Sequence, residues 1–378
     1  MRNVLYLNNY MSEEVIEVRN NKSVFSQPAN NKITGILLSL LAFDCRVTIL
    51  SSGLVNSKSL KIYKKLEGEK CHTANVIYCR IFDFPFLNTL SSIFFMYREI
   101  KKLNRKEKID NIIFYNYKPE VAWAAYMAKK NLGIPITVEY EDGYTQVEDI
   151  KGVKAWIFKS TEEIVSQKID SAIVVNDKVR EKYRVPAITV RGVVNPFFLN
   201  ECKSYYKEVN DQFTILYSGG LDRSRGVQVL LDSLQYLKID CHIVITGKGS
   251  VVSEDKRVDF KGFVPYEETL YWMKQADLLV QCQLVNDSFA DVSFPSKLFE
   301  YIATGNYIIS SAITDVYKFA GDDLIYYEND DPEMLGKRIE EVYLKWKKGE
   351  YKSASTERLC IQNMPEQVGK RIVSLWGK

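Results

Sequence analysis

Short runs of β-branched and aromatic residues alternate with longer amphipathic stretches along the whole chain. The runs fall at residues 4–7, 46–50, 76–80, 111–115, 136–139 and 172–175, and a second series falls at 213–218, 242–246, 258–261, 277–282, 307–310 and 324–327. Between them, apolar spacing predicts helices near 33–43, 91–103, 119–131 and 153–168, then near 227–236, 266–274, 296–303 and 332–347. Strands and helices in alternation are βαβ units, and these build parallel sheets. At 378 residues the chain is long for one core and ample for two α/β domains. Gly192, Pro196 and a charged run predict a linker over 196–212. The expected division is an N-terminal Rossmann-like domain at 1–195, a C-terminal one at 213–355, and a helical segment at 356–378 that returns to the N-terminal domain. The expected fold is therefore α/β, two parallel sheets facing a central cleft. Ligands of such sheets bind beyond the carboxyl ends of the strands, so the strand-to-helix loops matter most.

Composition removes several classes. A net charge of +3 is too small for a generic nucleic-acid binder. With two histidines, His72 in a lysine-rich stretch and His242 inside the strand-like CHIVITG, histidine-dependent hydrolysis and histidine-rich metal sites are poor candidates. The seven cysteines are odd in number, lack a Cys-x-x-Cys pair and sit mostly in apolar runs, which predicts small buried hydrophobes in a reducing compartment. MRNVLYLNNY carries no apolar signal core, and no run is long enough to span a bilayer, which predicts a cytoplasmic protein.

Three loops in the second series suit phosphate. The first holds Gly219, Gly220, Arg223 and Arg225 directly after a predicted strand. Glycine lets a backbone approach an anion, and arginine forks onto phosphate oxygens; a glycine after a strand is also often only a turn. The second, Gly247 and Lys248 after another strand, lacks the dinucleotide fingerprint and fits a close-approach loop beside a nucleotide. The third runs from Asp291 through Ser293, Pro295, Ser296, Lys297 and Leu298 to Glu300 and Gly305. There Ser293 can cap, Pro295 suits a first helical turn, and the free amides with Ser296 and Lys297 make an anion site. Ser296 and Glu300 share a helix face, which places a carboxylate for ribose hydroxyls; a solvated glutamate is the plain alternative.

A glycine–arginine loop, a glycine loop, FKGFVP and PSKLFEYIATG, in that order, resemble the retaining GT-B glycosyltransferases of the group 1 class, also called glycosyltransferase family four. Its members build bacterial surface polysaccharides, and the resemblance is clearest over residues 219–311. It implies that Arg225 stands where the class usually has a lysine on the donor diphosphate. The usual upstream arginine falls on Gly220, leaving that share to Arg223 or Lys297. Glu300 matches the second of two family glutamates and holds the ribose. The first would fall on Val292, with Asp291 one position off register. Phe263 matches the wall beside the base. In the N-terminal domain, Asn31, Thr34 and Gly35 lie where the class has its first glycine-containing loop, and Glu141 or Asp142 contacts the acceptor or donor sugar.

The implied reaction is sugar transfer from a UDP- or GDP-linked donor to a glycan or lipid-linked acceptor, with retention. No Asp-x-Asp motif is present to hold a divalent ion, so metal-independent stabilisation of the leaving diphosphate is expected, and no cofactor. Residues 86–97 (FLNTLSSIFFMY) are apolar, and residues 98–108 carry six basic against two acidic residues. That pattern suits an anionic inner-membrane surface and a polyprenyl-linked acceptor, or a core helix with a solvated basic end. The rival readings are a GT-B nucleotide-sugar epimerase, a non-catalytic nucleotide-sugar-binding subunit, and an NAD-dependent oxidoreductase. The last lacks Gly-x-Gly-x-x-Gly after the first strand.

Overall fold

A computed structural model of the chain describes residues 1–19, 25–53, 60–84, 87–141, 152–205, 212–285, 290, 293–350 and 356–377. The chain divides into two compact units, Met1–Val193 with Pro365–Lys378, and Val194–Met364.

The first unit is built on an eight-stranded sheet. Its strands, in chain order, are β1 (Arg2–Asn8), β2 (Cys45–Ser51), β4 (Leu66–Cys71), β5 (Ala74–Tyr78), β7 (Asn111–Tyr115), β8 (Ile136–Tyr140), β9 (Ser171–Val174) and β10 (Ala187–Thr189), with β3 (Ile62–Tyr63) and β6 (Ile81–Phe82) forming a separate pair. The spatial order is β10-β9-β8-β7-β1-β2-β5-β4, parallel except for the antiparallel edge strand β4. Every residue of β7, β8 and β9 is buried, as expected of strands covered on both faces. β4, LEGEKC, is largely exposed and charged, which blunts the sheet edge.

The helices of this unit are α1 (Glu13–Val18), α2 (Gln27–Ala42), α3 (Leu87–Lys106), α4 (Pro119–Leu132), α5 (Gly152–Val165) and α6 (Asp177–Arg180). Helix α2 corrects one expectation. Asn31, Thr34 and Gly35, matched to the first loop of the class, all sit inside α2, which starts ahead of the helix expected near 33–43 because Ser26 caps the Ala29 amide at 3.4 Å and Pro28 opens the first turn.

The second unit carries a parallel six-stranded sheet in the order β13-β12-β11-β14-β15-β16. These strands are β11 (Phe213–Ser218), β12 (Cys241–Thr246), β13 (Val258–Gly262), β14 (Leu278–Gln281), β15 (Tyr307–Ser311) and β16 (Ile325–Tyr327). Around them run α7 (Pro196–Ser204), α8 (Val227–Ser233), α9 (Tyr266–Gln275), α10 (Lys297–Thr304), α11 (Thr314–Ala320), α12 (Pro332–Lys347) and α13 (Thr356–Gln362). The stretch expected as a linker begins with α7. Asn195 accepts from the amides of Phe197 at 3.0 Å and Phe198 at 3.4 Å, and the helix buries Phe198, Leu199 and Cys202 within the second unit.

The C-terminal segment is also divided differently from expectation. α13 clusters with the second unit, where the Cys360 thiol reaches the Ile302 carbonyl at 3.2 Å. Pro365 then starts α14 (Pro365–Ser374), which packs on α2 of the first unit. The contact is close at Gly369, where an added Cβ would overlap the Ser39 carbonyl oxygen. All seven cysteines are buried and free, and burial pushes the thiols of Cys79 and Cys282 up to about 12. They act as core hydrophobes.

Candidate functional site

The loops after β11 and β12 are joined backbone to backbone. The Gly219 amide donates to the Thr246 carbonyl at 3.0 Å, and the Leu221 amide to the Lys248 carbonyl at 2.8 Å. The Gly247 amide donates to Gly262 at 2.8 Å. Gly247 has φ 142°, and a Cβ there would overlap the Gly219 carbonyl oxygen. Gly226 has φ 67°, and its Cβ would overlap the Cys282 carbonyl. Gly247 makes room for the Gly219 backbone and Gly226 for that of Cys282, so both are required by the joining of the loops themselves. The Tyr217 hydroxyl ties the first loop shut by donating to the Gly220 carbonyl at 2.7 Å.

Arg223–Arg225 then form one 3-10 turn. Arg223 is exposed. Arg225 is part-exposed, with its Nε 3.9 Å from Asp222, a long and weak pairing at the surface. On the second loop, the Lys248 ammonium sits 4.3 Å over the ring of Phe263, which is 71% exposed. An aromatic ring held in water beside a cation is a ready stacking surface.

The third loop departs from expectation in its capping. The N-cap of α10 is Ser296, in helical conformation and without a side-chain cap hydrogen bond. Ser293 and Pro295 are buried ahead of it. The amides of Leu298 and Phe299 turn back tightly onto the Pro295 and Ser296 carbonyls at 3.0 and 3.2 Å, so those two are not open to an anion. The Leu298 side chain is fully buried and cannot touch a ligand. Phe294 packs against Phe299 and Phe319 at 5.8 and 5.3 Å, which anchors the loop. Asp291 lies outside the described residues.

The first turn of α10 faces Tyr266 of α9, a residue the sequence reading passed over. Its hydroxyl donates to Glu300 Oε1 at 3.3 Å, and the Lys297 ammonium lies 5.6 Å over its ring. One tyrosine thus positions a carboxylate and a cation one turn apart. The buried Tyr301 hydroxyl accepts from the Ser218 amide at 3.1 Å and locks α10 to the end of β11. Arg225, Lys248, Phe263, Lys297 and Glu300 all belong to the loops and helix starts of one sheet in the second unit.

In the first unit, Glu141 follows β8 and is buried, with its amide donating to the Asn116 side chain at 2.8 Å. Its carboxylate pairs with Lys32 of α2, whose ammonium also donates to the Arg191 carbonyl at 2.9 Å. Asp142 lies outside the described residues. Asn31 takes no part in this cluster; its side chain accepts from Gln27 at 2.8 Å. Thr34 bonds toward the Cys71 thiol, and Gly35 gives Val193 room.

Glu139, in the same acidic segment but given no role by the sequence, is fully buried on β8 and receives a hydrogen bond from the Tyr6 hydroxyl on β1. Burial, and then the charge of Glu141, push its carboxyl well above the usual carboxylate range. Its Oε1 is buried without a hydrogen-bond partner among the described residues, and the neighbouring Glu141 side chain favours the protonated form. A raised folded-state pKa favours the fold below the unfolded carboxyl's range, and that stability is lost as pH rises toward the folded value. Glu139→Gln, a permanent mimic of the protonated acid, should therefore flatten the loss of stability above about pH 4.3, the unfolded reference. Urea unfolding at a series of pH values checks this; parallel wild-type and variant curves would contradict a proton on Glu139.

Two Rossmann-like units in succession, together with the glycosyltransferase structures matched along the whole chain, make this a GT-B fold. Residues 202–357 match the family Glycosyl transferases group 1, so the second unit carries a group 1 glycosyltransferase domain. No curated protein sequence matches the chain. Among solved structures, sucrose-phosphate synthase from Thermosynechococcus elongatus is similar at 12% identity and TM-score 0.66, covering 100% of this chain and 98% of that one. A glycosyltransferase from Rickettsia africae is similar at 14% identity and TM-score 0.62, covering 99% and 97%. Anabaena Alr3699/HepE in complex with UDP-glucose is similar at 11% identity and TM-score 0.62, covering 99% and 100%. At these identities the likeness is one of fold.

Proposed function

We propose that this chain transfers a sugar from a UDP- or GDP-linked donor to a glycan or polyprenyl-linked acceptor, with retention, in bacterial surface polysaccharide synthesis on the cytoplasmic side of the inner membrane. The observation that carries the reading is the Glu300–Tyr266–Lys297 set on α9 and α10, inside the segment that matches the group 1 family. A carboxylate and a cation held one turn apart suit the ribose hydroxyls and diphosphate of one nucleotide. The solved Anabaena relative with UDP-glucose supports a nucleotide sugar as the donor class.

In this reading the bond from the anomeric carbon to the diphosphate breaks, and negative charge collects on the β-phosphate. Arg225 and Lys297 stabilise that charge as preorganised cations, so no metal is needed. The acceptor oxygen bonds to the same face of the sugar, and its proton passes to the departing phosphate. Lys248 and Phe263 flank the nucleotide, and Glu141 or Asp142 contacts the acceptor or donor sugar. A nucleotide-sugar epimerase and a non-catalytic donor-binding subunit are the rivals.

Donor hydrolysis in the absence of acceptor separates them. NMR of the purified protein with each nucleotide sugar should show slow release of the free sugar, first in the donor's own anomeric form. Inverted sugar would sink retention, an isomerised donor would favour the epimerase, and binding without turnover would favour the silent subunit.

A further inference from the structure

Helix α3 presents two chemistries along one outward face. Leu87, Leu90 and Phe94 are 53%, 63% and 58% exposed, at spacings that place them in one stripe. The same stripe continues through Arg98, Lys101 and Arg105. Met96 and Ile100, on the other side, are fully buried and hold the helix to the sheet. Packing therefore explains the inner face and leaves the outer stripe largely exposed among the described residues.

Beside this helix lies a cavity of about 1010 Å³, floored by Ile77 and Cys79 and walled by Phe94 and Phe95. Seven lysines and arginines line it against one carboxylate, Glu99. Glu99 is already engaged by Lys65 at 2.6 Å and Lys102 at 3.7 Å. Arg80, Arg98, Lys101, Arg105 and Lys106 have no carboxylate within ion-pair distance among the described residues. Arg80 instead stacks over Phe82 and Phe95 at 5.1 and 5.4 Å, and Lys101 over Tyr97 at 5.7 Å. Lys106 still feels the charge of Glu67, but cations gathered this densely around one cavity repel one another, and an anion relieves that repulsion.

We propose that α3 and this cavity form a docking site for an anionic phospholipid surface, with lipid phosphates among the cations and Leu87, Leu90 and Phe94 entering the acyl boundary. A soluble phosphate would satisfy the cations and leave the exposed apolar stripe unexplained, whereas a bilayer interface covers both. The proposal rests on the membrane-side location given above and names the surface and lipid chemistry behind it. Attraction of basic residues to an anionic leaflet is short-ranged, so binding should weaken with salt.

Vesicle flotation with full-length protein tests it, using phosphatidylglycerol-containing and pure phosphatidylcholine vesicles, with donor binding measured in the same preparations. The protein should float with the anionic vesicles alone and detach as salt is raised. Neutralising Arg98, Lys101 and Arg105 together to Gln should reduce partitioning about a hundredfold, at roughly fivefold per cation. Phe94→Ser should also weaken it, and both variants should still bind donor nucleotide in solution. Failure to float with anionic vesicles, flotation unchanged by the triple substitution, or equally tight capture of inorganic diphosphate would each overturn the proposal. Loss of donor binding with flotation intact would instead strike the transferase reading and leave this one standing.

Discussion

Gly247→Ala should lower the melting midpoint of the second unit by about 6–12 °C, at roughly 2–4 °C per kcal/mol for a unit of this size. The reason is local. Gly247 has φ 142°, where side chains are strained, and the space for a Cβ holds the carbonyl oxygen of Gly219. That obstacle is backbone, fixed by the hydrogen bond from the Gly219 amide to Thr246 at 3.0 Å, so it cannot swing aside as a flexible side chain would. Strain of about 1–3 kcal/mol from the dihedral adds to a comparable cost of overpacking, about 3 kcal/mol or more together. Gly219→Ala is the control. Its Cβ would meet the Tyr217 hydroxyl at 3.1 Å, and nothing else closer than that ring's 3.4 Å carbon, so a far smaller shift is expected. Calorimetry of both variants decides the matter, and a Gly247→Ala protein melting with the wild type would contradict the joined-loop geometry.

The second large effect concerns chemistry rather than folding. Arg225→Ala should leave the melting midpoint nearly unchanged, because the side chain is part-exposed and its pairing with Asp222 is long at 3.9 Å. Turnover of the donor should nevertheless fall by about 10²–10³, the usual cost of removing one group aimed at charge that develops in the transition state. Arg225→Lys should recover much of that loss, since the group 1 class commonly has a lysine at the matching position. A variant with unchanged kcat, or one whose loss comes wholly from unfolding, would remove Arg225 from the reaction.

Fold was legible wherever the signal was local. The strands Asn111–Tyr115 and Phe213–Ser218 coincide with their expected bounds because both are buried along their whole length, and burial on two faces writes itself as a mostly apolar, β-branched and aromatic run. Pro332–Lys347 also coincides, because Asp331 and Pro332 cap and open it in sequence. The same signals mark the start of α2 at Ser26-Gln27-Pro28, six residues ahead of the helix expected near 33–43, and the start of α7 at Asn195-Pro196, inside the stretch expected as a linker.

Part of the candidate site was legible for the same reason. Arg225, Lys297 and Glu300 follow strands or open helices, and their positions relative to glycine and proline announce them. Tyr266 and Glu139 could not be read that way. Tyr266 matters through Glu300, and Glu139 through Tyr6 on a distant strand and Lys32 on a helix, partners that only the fold brings together. At Gly247 the steric demand is already set by the Gly219 carbonyl, and a backbone carbonyl and a phosphate leave the same mark on a sequence.

The central claim is that the loops around Arg225 and Glu300 hold a nucleoside diphosphate. Titration calorimetry of the purified protein with UDP, GDP, CMP and NAD, repeated on Glu300→Ala, tests it most directly. One of the two diphosphates should bind, raise stability by about 2.7 kcal/mol at a hundred times its dissociation constant, and bind more weakly to the variant. Binding of NAD alone, or a diphosphate affinity that Glu300→Ala leaves untouched, would contradict the account.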